Sequence, residues 1–495
     1  MGIVQRDSFR ITLISYAGAG LGYLNKVFLF TNFLETEQVG LANLMVTIAL
    51  IYAQFAALGT RNVITRFFPF FRDKENHHNG FLFAIMALSL AGFTIATLVF
   101  IALQNPFAQL YGSSSPLLVD YAWYILPLAL ATLFYNLFES YLRSLLSNVL
   151  PTLTHEIVLR LFVTLAITLF ALGIIAFPLF VILYVIAYCL PAVILVFYTA
   201  SKGWLLVRPR WTPLLRRLGK IMIVYGLYSL LSNLSSFLLV SIDALMVAGM
   251  IDLGAAGIYT TMVFMTSVIL IPYRSMVKVA APLVAGYWKS RSMDQLQTIC
   301  RKATAGNLVV GASLFMLIWV NLDAVFYFMA PEYVAGRYVF LFLGIGKLID
   351  MSAGLNATIL NNSKKYRYEL IFTVLMLAST VLLNLLLIPP YGINGAALAS
   401  MLTLTLFNVL RVVFVYRHFR LKAFNKKDIF VPAILAIIMT ASAFVDTGLH
   451  PLADIPIRSA IAAGLFLLPV KMLKISPEMN QWVLETIASL RKRLF

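Results

Sequence analysis

Arg274 and Lys278 stand four residues apart, one helical turn, in IPYRSMVKVAAP (residues 271–282), inside a run that is otherwise apolar from Leu253 to Val284. A guanidinium keeps its charge at any relevant pH and grips phosphate with two parallel hydrogen bonds. A cation kept in such a run therefore points to an anionic ligand. Ten further ionisable residues fall in comparable runs: Lys26, Arg160, Lys347 and Arg411, with Glu139, Glu156, Asp243, Asp323, Asp350 and Glu369. A charge at the centre of a bilayer costs about 2.5–3.5 kcal/mol on insertion scales, so each needs a partner, a path to water or a function.

Spacing sorts them. Lys278 and Arg411 fall near span ends, where long side chains reach the head groups. Asp323 and Glu139 are also near span ends and are expected to be wet. Arg160 follows Glu156 by four residues, the spacing of a helical ion pair, and Lys347 and Asp350 at i,i+3 have the spacing to neutralise each other. Glu156 and Glu369 occupy corresponding places in two halves of the chain. Lys26 and Asp243 do so too, with opposite sign; they line a central cavity or pair with each other. Pro272 removes a backbone donor two residues before Arg274 and favours a kink there. The candidate cargo-binding residues are thus Arg274, Lys26, Lys347, Lys278 and Arg160, and the candidate coupling or cavity carboxylates are Asp243, Asp350, Glu369 and Glu156.

Other chemistries find no residues. The histidines, at 77, 78, 155, 418 and 450, lie in loops or at span ends and form no metal constellation. No phosphate-cradling G-x-x-x-x-G-K-[ST] loop occurs, nor a G-x-S-x-G nucleophile elbow, so neither an ATP motor nor a hydrolase is expected. AGAGLGY (17–23) sits inside a span, where small residues serve close helix packing. No cofactor is implied, and the chain is expected not to be an enzyme.

The elements that carry these charges are transmembrane helices. Of 495 residues, 61% are hydrophobic and 12% charged, against about half and a quarter in soluble domains. A span needs about 20 mostly apolar residues. Fourteen segments qualify: 9–33, 39–58, 80–103, 117–142, 149–173, 176–200, 220–249, 253–279, 303–329, 337–360, 368–388, 392–415, 428–446 and 456–473. No cleavable signal is expected, because the first apolar stretch is too long. Cys189 and Cys300 suggest no disulfide framework.

Lys and Arg alternate between connections. The N-terminus (through Arg10) and segments 59–79, 143–148, 201–220, 286–302, 361–367, 416–427 and 471–495 hold 30 of the 38, and the intervening connections hold only Arg337. The positive-inside rule then puts both termini in the cytoplasm. It also accounts for most of the net charge of +18, which therefore does not imply nucleic acid.

The chain repeats itself. VGL (39–41) and AGI (256–258) open spans 217 residues apart, and HEIVLR (155–160) matches YELIFT (368–373) at an offset of 213. The expected organisation is an all-α polytopic membrane protein: a six-helix lobe at 1–200, a basic cytoplasmic linker at 201–219, a second six-helix lobe at 220–416 and two additional helices at 417–475. An amphipathic cytoplasmic tail follows at 476–495. Parallel repeats of this kind mark transporters, with the substrate site at the repeat interface.

Three stretches carry a family resemblance: FLETEQVGLANL (33–44), SIDALMVAGMIDLGAAGIYTTM (241–262) and IPPYGINGAALASMLT (388–403). Through them the chain resembles the Wzx-type polysaccharide/O-antigen flippases of the multidrug/oligosaccharidyl-lipid/polysaccharide (MOP) exporter superfamily. The resemblance implies a V-shaped cavity between two lobes, alternating access, and an undecaprenyl-pyrophosphate-linked oligosaccharide as cargo for surface polysaccharide synthesis. It further implies a possible coupling cation (H+ or Na+), membrane lipids, and a polysaccharide polymerase and glycosyltransferases as partners. In the related lipid II flippases, basic residues on spans 1, 2 and 8 handle the pyrophosphate; Lys26 and Arg274 match two of these by span, whereas span 2 here has none. A multidrug or cation antiporter of the same fold is the nearest rival, although the cations within the spans are as numerous as the carboxylates. A polymerase or ligase is disfavoured because no large external loop is present.

Overall fold

The computed structural model describes residues 3–73, 77–207, 209, 212–442, 448, 450–473 and 475. The tail expected at 476–495 lies outside the described residues. Within them the chain is helical throughout, with no strand. That is what a bilayer demands, because a helix satisfies its own backbone donors and acceptors where water is absent. Among the described residues nine helices are long and apolar enough to cross a membrane, or ten when the bent pair Pro213–Ser235 and Phe237–Met250 is counted. The protein is a multi-pass membrane protein.

The main helices are α1 (Ile3–Tyr23), α2 (Thr36–Ala56), α3 (Thr60–Phe71), α4 (Phe81–Ala102), α5 (Ile125–Ser144), α6 (Leu159–Ala171), α7 (Phe177–Ser201), α8 (Pro213–Met250), α9 (Leu253–Ser267), α10 (Ile271–Lys289), α11 (Met293–Val320), α12 (Arg337–Ser352), α13 (Arg367–Phe419), α14 (Phe430–Ser442) and α15 (Pro451–Met472). Over the described residues the fourteen expected spans fall mainly on helix. The count of fourteen crossings stays an expectation, since several of these helices are broken or short.

The 53 residues of α13 are two helices, not one. Gly392 takes φ 57°, ψ −137°, a conformation open to glycine and strained for other residues. The chain reverses there, so that the rings of Tyr368 and Phe414 meet at 4.8 Å from opposite ends of the sequence segment. This antiparallel hairpin carries the two spans expected at 368–388 and 392–415.

The helices gather into two compact units, Met1–Thr260 and Thr261–Phe495. In the first, α2 packs on α5 and α4, and α7 packs on α5 and α6. The segment 59–79, expected to be a loop, is largely the helix α3. Its Phe67, Phe68 and Phe71 are buried with Phe81, Phe138 and Tyr141. Arginines interspersed with the phenylalanines make its sequence read as polar, but its apolar side is part of the core. In the second unit α12 runs along α13, and α11 packs against α10, α12, α14 and α15.

Candidate functional site

Each unit holds its own set of charges inside its helices. In the first, α1 does not end in a cap: it runs through a π-helical turn, Leu24–Leu29, into the helical residues Phe30–Phe33. A π turn accommodates one extra residue and shifts the side chains that follow, and such turns recur at functional sites. This one carries Lys26. The Lys26 Nζ donates to Asn43 Oδ1 on α2 at 2.8 Å. The Asn43 amide nitrogen donates to Thr260 Oγ1 at 3.0 Å, and that hydroxyl donates to Ala256 O at 2.8 Å. On the adjacent position Asn25 donates to Arg160 O at 2.9 Å and accepts from Thr164 Oγ1 at 2.8 Å.

A second π turn, Thr154–Val158, leads into α6 and carries Glu156. Arg160 forms an ion pair with Glu156 at 2.7 Å and also donates to Gly18 O on α1. Arg160 is thus held by its own helix, and its charge acts on Lys26 from a distance. Asp243 is buried on α8 and accepts from the Tyr259 hydroxyl at 2.9 Å.

In the second unit, Lys347 sits midway along α12. Its Nζ donates to Thr266 Oγ1 at 2.7 Å and to Val263 O at 3.1 Å, both neutral groups on α9. Asp350, one turn on, accepts instead from the Asn408 amide of α13 at 3.0 Å. The spacing of Lys347 and Asp350 therefore does not produce a direct ion pair; the two interact only across a distance, together with Arg274. Arg274 and Lys278 project from α10, exposed, and neither makes a hydrogen bond or ion pair among the described residues.

Arg411 departs from the sequence reading. Rather than reaching the head groups, it is 8% exposed and grips Glu369 with both arms, at 2.7 and 3.1 Å. The partner comes from the other arm of the α13 hairpin. Glu139 departs likewise: it is buried and paired with Arg61 and Arg143. Asp323 is exposed and paired with Arg337. Sequence reasoning missed the buried ion pair Asp454–Arg458 of α15, because Asp454 lies outside the expected span. It also missed the neutral side chains, Asn43, Thr266 and Asn408, that hold the charges. Asn43 and Thr260 are separated by the repeat offset of 217, the one sequence signal that pointed to them.

In the second unit Lys347, Arg274 and Lys278 have no carboxylate in direct contact among the described residues, and Asp350 lies within the field of Lys347 and Arg274. A mostly apolar groove of about 760 Å³ in this unit lies elsewhere, lined by Leu308, Phe315, Leu348 and Leu435, with Asn425 and Lys426 also on its wall. Among the described residues no three His, Cys, Asp or Glu side chains come together as metal ligands would.

Residues 4–288 match the model of a family described as polysaccharide biosynthesis protein. No curated protein sequence matches at a meaningful level. Solved structures do. The lipid II flippase MurJ in an inward closed conformation is similar with a TM-score of 0.66 at 13% identity, covering 93% of this chain and 99% of that one. An inward-facing multidrug resistance MATE family transporter of the MOP superfamily gives 0.63 at 17% identity, covering 81% and 94%. A mutant of the Vibrio cholerae MATE transporter VcmN gives 0.55 at 15% identity, covering 84% and 98%. At these identities the likeness is one of fold.

Proposed function

Because the chain belongs to the polysaccharide biosynthesis protein family and has the fold of the MOP-superfamily membrane transporters, we propose that it is a flippase for a lipid-linked, anionic glycan. In this reading an undecaprenyl-pyrophosphate oligosaccharide moves from the cytoplasmic to the periplasmic leaflet of the bacterial inner membrane by alternating access. Both termini face the cytoplasm. The lipid tail stays in the bilayer while the sugar and pyrophosphate pass the charged side chains. Glycosyltransferases would supply the cargo, and a polymerase would consume it.

The observation that carries the proposal is the state of Lys347. Its ammonium is held in the interior by a hydroxyl and a carbonyl, not by a carboxylate, and Arg274 adds a second positive charge in range. Such a cation keeps its full attraction for a passing phosphate. A site built for a cationic drug needs the reverse, a carboxylate without a competing cation. Asp350 has Lys347, Arg274 and Arg411 around it. A coupling proton or sodium ion belongs to the same proposal, with Asp350, which accepts from Asn408, and Asp243, which accepts from Tyr259, as the carboxylates that would take it.

The test is complementation in a host whose own gene is deleted, with surface polysaccharide measured at matched membrane levels. Loss of a charge-assisted contact costs about 1.5–3 kcal/mol, a factor of about ten to a hundred. Lys347→Ala and Arg274→Gln should each lower export by that order, and Lys347→Arg should retain more than Lys347→Ala. Full polysaccharide from both neutralised variants would remove the anionic-cargo reading.

A further inference from the structure

The Lys26 chain of hydrogen bonds ends where two helices touch backbone to backbone. At the start of α2, a Cβ on Gly40 would stand 2.0 Å from Leu253 O, and a Cβ on Gly257 of α9 would stand 2.1 Å from Thr36 O. Only hydrogen fits at either place, so α2 and α9 close against each other there. Three residues further along each helix, Asn43 donates to Thr260. Gly40 and Gly257, like Asn43 and Thr260, are separated by the repeat offset of 217, so corresponding positions of the repeat meet each other. All these residues belong to the first unit. Asn43 is 7% exposed, and Leu253, Ala256 and Val39 are buried beside it.

The bridge has a direction. Lys26 donates to Asn43, Asn43 to Thr260, and Thr260 to the α9 backbone. Of these three side chains only Lys26 carries a charge, and its bond to Asn43 is to a neutral amide oxygen. A phosphate oxygen competes well, since it meets the ammonium with a full negative charge and Asn43 meets it with a dipole only.

We propose that Lys26 and Asn43 form a cargo-sensing latch: an isoprenoid-linked pyrophosphate that takes the Lys26 ammonium withdraws it from Asn43 and loosens the α2–α9 contact. This rests on the anionic-cargo reading above, and in that orientation the contact lies at the periplasmic ends of both helices. The cargo head group then weakens the closure that bars its exit. By linkage, opening the latch raises the affinity of Lys26 for the cargo by the same factor. Asn43 is a positioning residue in this scheme, since it touches Lys26 and not the cargo.

The experiment uses the full-length protein carrying Cys189→Ser and Cys300→Ser, with Val39→Cys as a reporter buried at the latch. The rate of its modification by a membrane-impermeant thiol reagent is measured with farnesyl pyrophosphate as the probe and farnesol as its uncharged control. Pyrophosphate binding is measured in parallel, and folded fractions are matched by size exclusion. One hydrogen bond contributes about 1 kcal/mol net, which is about fivefold in rate at 1.4 kcal/mol per tenfold. Farnesyl pyrophosphate should raise labelling by about that factor, and farnesol should not. Asn43→Ala should raise basal labelling to the same degree and remove the response. Lys26→Met should remove the response, and Lys26→Arg should keep it. Gly257→Ala wedges the contact without touching a charge, so it should label faster while still binding the probe. A response that survives in Lys26→Met, or unchanged labelling in Asn43→Ala, would overturn the latch. Probe binding with no change in labelling would remove the latch and leave the cargo reading standing, whereas no binding at all would remove both.

Discussion

The ion pair between Glu369 and Arg411 allows a prediction with an internal asymmetry. Both residues are 8% exposed, and two hydrogen bonds join them across the α13 hairpin. Removing one member of a buried pair costs about 3–5 kcal/mol, because the other charge is left without compensation. The two members differ in what they do when abandoned. A lone carboxyl can take up a proton and become neutral, whereas a guanidinium stays charged. Glu369→Gln should therefore cost the full amount, Arg411→Met less, and the Arg411→Met penalty should shrink as the pH is lowered towards 5. Replacing both with apolar residues, Glu369→Leu with Arg411→Met, removes the charge problem and should fall within about 1 kcal/mol of the parent. For a unit of this size, 3–5 kcal/mol corresponds to a loss of about 10 °C in melting temperature. The assay is a thermal melt of the purified protein in detergent at pH 7.5 and pH 5.5, followed by fluorescence-detected size exclusion. Equal stability of Glu369→Gln and the parent would refute the reasoning, as would a double variant no better than the worse single one.

Two other outcomes follow from the fold. Gly392→Ala places a side chain at φ 57°, ψ −137°, so it should lower stability by about 1–3 kcal/mol, read in the same melt, and an unchanged melting temperature would mean that the hairpin can turn by another route. With single cysteines at the exposed positions Asn362 and Ser113 in a background lacking Cys189 and Cys300, an impermeant reagent applied to intact cells should label position 113 and spare position 362; the opposite pattern would invert the orientation proposed from the Lys and Arg distribution.

The helices were legible in the sequence because their physics is one-dimensional. An apolar run of about 20 residues has few choices in a bilayer, and over the described residues the expected spans fall mainly on helix. The helix α3 was not legible for the same reason: Arg61 and Arg66 interrupt its apolar residues along the sequence, so no run exists to be counted, though Phe67, Phe68 and Phe71 are buried on one side. The charged residues stood out by type alone. Their partners did not, because they are neutral and come from distant points of the chain. Asn43 meets Thr260 across 217 residues, Lys347 meets Thr266 across 81, and Asn408 meets Asp350 across 58. Spacing found the local pair Glu156–Arg160. It misled for Lys347 and Asp350, where a shared helix face did not prevail over better partners on neighbouring helices, and for Arg411, whose carboxylate arrives from the far arm of a hairpin.

The π turn at Leu24–Leu29 has an implication for lineage. A π turn is an α-helix that has absorbed one additional residue, and consecutive residues of an α-helix are about 100° apart around its axis. A relative lacking that residue would have a regular first helix, with every side chain on one flank of the missing position turned by about 100° relative to the other flank. Its lysine at the aligned position would then face a different neighbour, even if every letter around it were identical. In this part of the chain, a one-residue gap in an alignment is thus a larger change than most substitutions: it decides which way the cation faces.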